Sequence, residues 1–250
     1  MFHVIIPARF AASRLPGKPL LDMGGRPLIQ WVWQCAQASG AASVIVATDD
    51  ARIRDTAQRF GAECVLTSTQ HVSGTDRIAE VVRAKGCAQD DVVVNLQGDE
   101  PMMPPAVISA VADALLTRPQ IDIATAVAPI RSLAEFLDPN CVKALRALDG
   151  QALYFSRAPV PWPRDAAPEG RPTRFTGAWR HVGMYAYRVR GLLQFASWPP
   201  TPLEECERLE QLRALEHGMR IHLVALSEAP PAGVDTPEDL ERVRAGLTRA

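Results

Sequence analysis

The sequence predicts an α/β fold built on a mostly parallel, doubly wound sheet. Three observations predict it. Short apolar runs alternate with amphipathic stretches through the first half, and the amphipathic stretches carry apolar residues at helical spacing. From about residue 125 the alternation gives way to strand-like pieces with fewer helices between them. The chain of 250 residues is 47% apolar with a formal net charge of −1. That is enough chain for a sizeable core, and it supplies no global field for nucleic acid or an anionic membrane. A polyanion must be met by a local cluster.

HVIIP at residues 3–7 reads as the first strand. In PLIQWVWQCAQASG, residues 27–40, Leu28, Trp31, Val32 and Cys35 fall on one helical face. Pro27 suits the first helical position there and Gly40 the C-terminal cap. SVIVAT is the second strand and DARIRDTAQRFG the second helix. A strand from Cys64 to Leu66, a helix over about Thr75 to Lys85, a strand from Asp91 to Leu96 and a helix from Pro105 to Leu116 complete four βα repeats. ATAVAPI, CVKALRA, QALYFS and HVGMYAYRV then read as an antiparallel inserted subregion over about residues 125–200, with a Pro-rich loop from Pro159 to Pro172. A helix over Leu203 to His217, the strand RIHLVAL and a helix from Pro237 resume the α/β pattern. Without a long linker, residues 1–250 are expected to form one continuous domain.

Cys35, Cys64, Cys87, Cys141 and Cys206 are odd in number and form no CxxC pair, which argues against a disulfide framework or a zinc site and for a reducing cytoplasm. The N-terminus lacks the apolar core of a signal peptide, and no membrane span is expected. His3, His71, His217 and His222 gain no role from their spacing.

The loop PARFAASRLPGKPL leaves the carboxyl end of the first strand with Arg9, Arg14 and Lys18 inside ten residues. Open α/β sheets bind ligands at such ends. A P-loop is excluded because Gly17-Lys18 is followed by Pro19, and GxGxxG is absent. Side chains must therefore supply the positive charge, unless the loop is merely a solvated basic turn. Gln97-Gly98-Asp99-Glu100-Pro101 places carboxylates at another strand end, suited to holding Mg²⁺ beside phosphates, or else forming a polar turn. GVDTPED adds Asp235, where Thr236 and Asp239 also make a capping box with Pro237 at its first position. Three cations facing two carboxylate turns suit a metal-bound nucleotide.

IIPARFAASRLPGKPL, SGTDR, NLQGDEP, YFSRAPVPW, RHVGMYAY, PLEECERLEQLR and GVDTPEDLERVR occur in that order over nearly the whole chain. Together they resemble the 3-deoxy-manno-octulosonate cytidylyltransferases, the CMP-Kdo synthetases. The resemblance implies the nucleotide-diphospho-sugar transferase fold and the reaction of CTP with Kdo to give CMP-Kdo and pyrophosphate, serving lipopolysaccharide synthesis. It implies that Arg9, Arg14 and Lys18 hold the CTP phosphates, with Ala8 bringing backbone against the nucleoside. Ser73, Gly74 and Arg77 would read the cytosine edge, Ser73 serving also as a helix N-cap. Asp99 and Asp235 would coordinate Mg²⁺, forming the catalytic set with Lys18 and Arg14. Arg157 would face the sugar carboxylate, and Gln97, His181, Tyr185, Glu210 and Gln211 its hydroxyls. A homodimer in the cytoplasm, with no nucleic-acid partner, completes the implied picture. A cytidylyltransferase for another acidic sugar, such as a sialic acid, is the nearest alternative, and a non-catalytic nucleotide-binding protein the more distant.

Overall fold

The computed structural model describes residues 1–11, 15–166, 172–173 and 175–247. The chain begins with β1 (Phe2–Ala8), α1 (Leu28–Gln37), β2 (Ser43–Thr48), α2 (Ala51–Arg59), β3 (Glu63–Leu66), α3 (Gly74–Ala84), β4 (Val92–Asn95) and α4 (Pro105–Leu116). It continues with β5 (Ile123–Pro129), α5 (Leu133–Leu137), β6 (Lys143–Arg146), β7 (Ala152–Ser156) and β8 (Trp179–Arg188). The last elements are α6 (Val189–Phe195), α7 (Pro202–Glu207), α8 (Gln211–Glu216), β9 (Ile221–Ala225) and α9 (Pro237–Leu247).

The strand order is β3-β2-β1-β4-β8-β5-β9, with β6 pairing both β7 and β8. β1 runs parallel to β2 and β4, and β5 parallel to β9, while β8 is antiparallel to β4 and β5. Both faces are covered, which is why the strands read as continuous apolar runs. Val4 and Ile6 of β1 face the core with α1 and α4, through Leu28, Val32, Ile108 and Val111. Ile5 faces the other core with α3 and α6, through Ile78, Val82, Leu192 and Phe195.

Four local readings are corrected. Pro27 is the N-cap of α1, not its first helical residue, and the helix cap at the other end is Ala38, with Gly40 beyond it at φ 79°. The strands expected in an inserted subregion are woven into the main sheet, because β8 supplies the antiparallel partner that joins β4 to β5. α5 and α6 were not expected; each is short, and α5 is capped by Ser132 accepting from Glu135 N. The helix expected over Leu203 to His217 is two helices. Arg208, at φ 52°, ends α7, after which Leu209 and Leu212 enter the core and Arg213 reaches back to Glu204 at 2.7 Å.

Candidate active site

The chain adds β2 and β3 on one side of β1 and then returns to place β4 on the other, so the loops after β1 and β4 diverge. That switch opens a crevice at the carboxyl ends of both strands. A cleft of about 350 Å³ lies there, lined among others by Ala8, Arg9, Lys18, Ser73, Gly74, Gln97 and Asp99. Seven residues singled out in the sequence thus meet in one place. Arg14 lies outside the described residues.

Two glycines let the backbones close on each other. A Cβ on Gly98 would stand 2.8 Å from Pro7 O, and one on Gly233 2.8 Å from Asp99 O. The second approach is locked by Val234 N donating to Asp99 O at 2.8 Å. It brings the loop before α9 onto the loop after β4, some 130 residues apart in the chain. Lys18 ties the junction together. It sits in a 3₁₀ turn capped by Gly17 at φ 71°, and its Nζ donates to Asp99 Oδ2 at 2.8 Å, Asp235 Oδ1 at 3.1 Å and Val234 O at 2.8 Å. The two carboxylates raise the Lys18 pKa against the opposing effect of burial, so the ammonium is charged at neutral pH.

Among the described residues no three His, Cys, Asp or Glu side chains form a metal cage. The fold offers instead two carboxylates and a carbonyl already directed at one cation, Lys18 Nζ. An octahedral Mg²⁺ that takes its other ligands from phosphates and water needs no more protein oxygens than this, so the residues fit the ion.

Glu100, the second carboxylate of the turn after β4, gains no role of its own from the sequence. Its Oε2 is buried without a hydrogen-bond partner. Burial first, then Asp99 and Asp235, push its pKa up to about 8. Its place beside Asp99 in the sequence was the available signal. What could not be read was that Asp235 would arrive near it, lining the same cavity.

Ser73 caps α3 and forms a capping box with Asp76, so its hydroxyl already serves the helix. Arg77 departs from the expectation of a base-reading donor. It is fully buried, pairs with Asp49 at 2.7 Å and donates to Thr67, and only its Nε lacks a partner. Asp49, at the exit of β2, supplies the counter-charge that makes this burial tolerable. Arg9 lies closer to the cleft, its pKa lowered by burial and by Arg77.

The expected sugar contacts are dispersed. Glu210 borders a cavity of about 650 Å³ that shares Val72 and Ser73 with the cleft; its Oε2 accepts from Thr75 at 3.0 Å, its Oε1 has no hydrogen bond but lies 3.9 Å from Arg213 Nη2, and burial raises its pKa. Gln211 is buried with Nε2 unpartnered. His181 borders a separate cavity of about 240 Å³ with Glu100 and Asp235. Its ring meets Phe155 and Tyr185 and bonds Thr125 Oγ1 at 2.9 Å, and burial pushes its pKa down to about 3, so it is neutral. Tyr185 stacks on Tyr187, and burial raises its pKa. Arg157 is corrected as a ready sugar-carboxylate partner: its guanidinium donates to the carbonyls of Glu207, Pro139 and Arg208, tying β7 to the end of α7.

The profile of the cytidylyltransferase family matches residues 3–221. A 3-deoxy-manno-octulosonate cytidylyltransferase of Pseudomonas fluorescens strain Pf-5 is 54% identical, with 97% of this chain and 96% of that protein covered. One from Pseudomonas syringae pv. syringae is 53% identical over the same shares. Among solved structures, a CMP:2-keto-3-deoxy-manno-octonic acid synthetase complexed with CTP is 41% identical with a TM-score of 0.90, covering 100% of this chain and 99% of that one. A cytidylyltransferase of Leptospira borgpetersenii, at 15% identity and a TM-score of 0.64 over 100% and 87% of the two chains, shares the fold.

Proposed function

This chain belongs to the 3-deoxy-manno-octulosonate cytidylyltransferase family, and from that premise we propose how its residues activate Kdo with CTP, giving CMP-Kdo and pyrophosphate. The observation that carries the proposal is the meeting of Lys18, Asp99 and Asp235 at the mouth of the β1/β4 crevice.

The anomeric hydroxyl of Kdo attacks the α-phosphorus in line with departing pyrophosphate, a reaction in which positioning and electrostatics dominate. Arg9, Arg14 and Lys18 hold the triphosphate, Arg9 and Lys18 from the lining of the cleft. Ala8, Ser73 and Gly74 border the nucleoside, and the near contact of Gly74 with Pro7 keeps that wall narrow. Arg77 acts from behind it, anchoring the start of α3 to Asp49. Asp99 and Asp235 hold Mg²⁺, which when bound supplies Lewis-acid polarisation of the phosphate and sugar oxygens. Of the residues expected at the sugar, Gln97 borders the cleft itself and Glu210 the adjoining cavity; Gln211 Nε2, buried without a hydrogen-bond partner, and Glu210 Oε1 are suited to sugar hydroxyls, while His181 and Tyr185 stand further off in the sheet. Arg157 contributes by fixing β7 against α7.

No described helix is long and apolar enough to cross a membrane. The enzyme works in the cytoplasm, supplying the activated sugar for lipopolysaccharide synthesis. It does so as a homodimer through the β6–β7 region, where Leu148 and Leu153 are exposed. The test of the activity is pyrophosphate release with Kdo and Mg²⁺ against CTP, ATP, GTP and UTP. Release with CTP alone is expected, and equal release with another nucleotide would overturn the assignment.

A further inference from the structure

We infer that Lys18 is a built-in placeholder for the divalent ion, holding Asp99 and Asp235 together in the nucleotide-free protein and surrendering them only when a nucleotide gives its ammonium another anion. The inference rests on the metal reading above and adds to it an order of events: metal and CTP enter as mutually dependent ligands.

Three observations lead there. First, one atom takes the metal's place. Nζ lies 2.8 Å from Asp99 Oδ2 and 3.1 Å from Asp235 Oδ1, so the two oxygens are no further apart than those distances combined. A Mg²⁺ drawing on the same two oxygens would compete with Nζ for them. Ammonium and metal are then competitors for one pair of carboxylates. Second, the ammonium has somewhere to go. Lys18 lines the 350 Å³ cleft together with Arg9, Ser73 and Gly74, the walls assigned to the nucleotide. A four-carbon stem on a fixed 3₁₀ turn can swing between the two partners without moving its backbone.

Third, neither exchange is favourable alone. If Lys18 leaves unreplaced, two carboxylates face each other without a cation, against their mutual repulsion. If a metal arrives without nucleotide, a partly buried ammonium loses two carboxylates and a carbonyl with no anion to receive it. CTP and a divalent ion together satisfy both sets of charges. Because binding free energies are linked, each ligand must then raise the affinity for the other by the same factor.

The test uses Mn²⁺ as the probe and needs no turnover. Mn²⁺ is titrated into nucleotide-free protein and the free ion counted by electron paramagnetic resonance, for the native chain, Lys18→Met and Lys18→Gln. Both neutral variants are expected to bind Mn²⁺ about tenfold or more tightly than the native chain. Adding Asp99→Asn to either should abolish the gain. The second neutral variant keeps the test alive should the first not fold. Equal Mn²⁺ affinity in the native chain and a folded neutral variant would overturn the placeholder role. A separate arm adds CTP to the native chain and follows the amide resonances of Gly98 and Gly233. Broadening by Mn²⁺ is expected there. Sharp signals with CTP present would remove the metal reading itself, and the inference with it.

Discussion

Gly98 has no side chain because Pro7 O stands where a Cβ would need to be, 2.8 Å away. The obstacle is backbone on a central strand, which cannot move aside as a flexible side chain would. Gly98→Ala is therefore expected to cost about 1–3 kcal/mol, in the range of core overpacking, and to weaken CTP binding. Urea denaturation and calorimetric titration with CTP check the two effects. Asp99 lies beside this contact and touches Lys18 directly. Asp99→Asn keeps the size and one acceptor oxygen but removes the charge. It is expected to bind CTP more weakly in the presence of Mg²⁺ while losing two or more orders of magnitude in turnover, and near-native rates would refute its role.

At the scale of elements, the break between α7 and α8 shows a local rule yielding to packing. Arg208 adopts φ 52° and ψ 47°, a left-handed conformation that costs a side-chain-bearing residue about 1–2 kcal/mol. The turn persists because Leu209 and Leu212 are buried beyond it, and because Thr201 and Glu204 cap α7 while Arg213 pairs with Glu204 across the break. Arg208→Gly removes the steric cost but adds glycine's chain entropy in the unfolded state, so a net gain of roughly 0.5 kcal/mol is expected. A rise in melting temperature checks it, and a fall would show that the Arg208 side chain contributes contacts worth more than its strain. α4 shows the converse, an end held by its own Thr117 Oγ1, donating to Asp113 O at 2.8 Å, and also from a remote strand. Arg188 of β8 donates there to the carbonyls of Leu115 and Arg118, and also to Ile121, so a distant strand closes the helix.

For the whole molecule, two buried groups impose opposite pH dependences on stability. His181 has its pKa pushed from 6.5 down to about 3 by burial. Its contribution is complete above 6.5 and is lost as pH falls towards 3, where the unfolded chain binds a proton that the native chain excludes. Glu100 has its pKa pushed from 4.5 up to about 8. Its contribution is complete below 4.5 and is lost as pH rises through 8, because the native chain keeps a proton that the unfolded chain has released. The two windows overlap between pH 4.5 and 6.5, where the opposite slopes cancel, so the summed contribution is level there and falls away on both sides. In metal-free protein, Glu100→Gln is expected to flatten the alkaline limb, read as a urea midpoint that no longer falls between about pH 6.5 and pH 8. An unchanged limb would show that Glu100 is ionised in the native state.

The sequence by itself determined the alternation of β1 to β4 with α1 to α4, because those strands are buried on both faces and those helices on one, which leaves distinct periodicities in the chain. It also marked the basic loop after β1 and the acidic turn after β4, since ligands gather at strand ends. Its ordered motifs carried the family. Tertiary structure alone decided the rest. That β8 joins β4 to β5 depends on pairing between distant strands, which local pattern does not encode. That Arg77 is buried on Asp49, that Arg157 braces carbonyls, and that Glu100 feels Asp235 as well as Asp99 each depend on what a remote segment brings alongside. A residue's type limits the chemistry it can perform, but its charge state and partners are set by the dielectric and the neighbours that the closed fold provides.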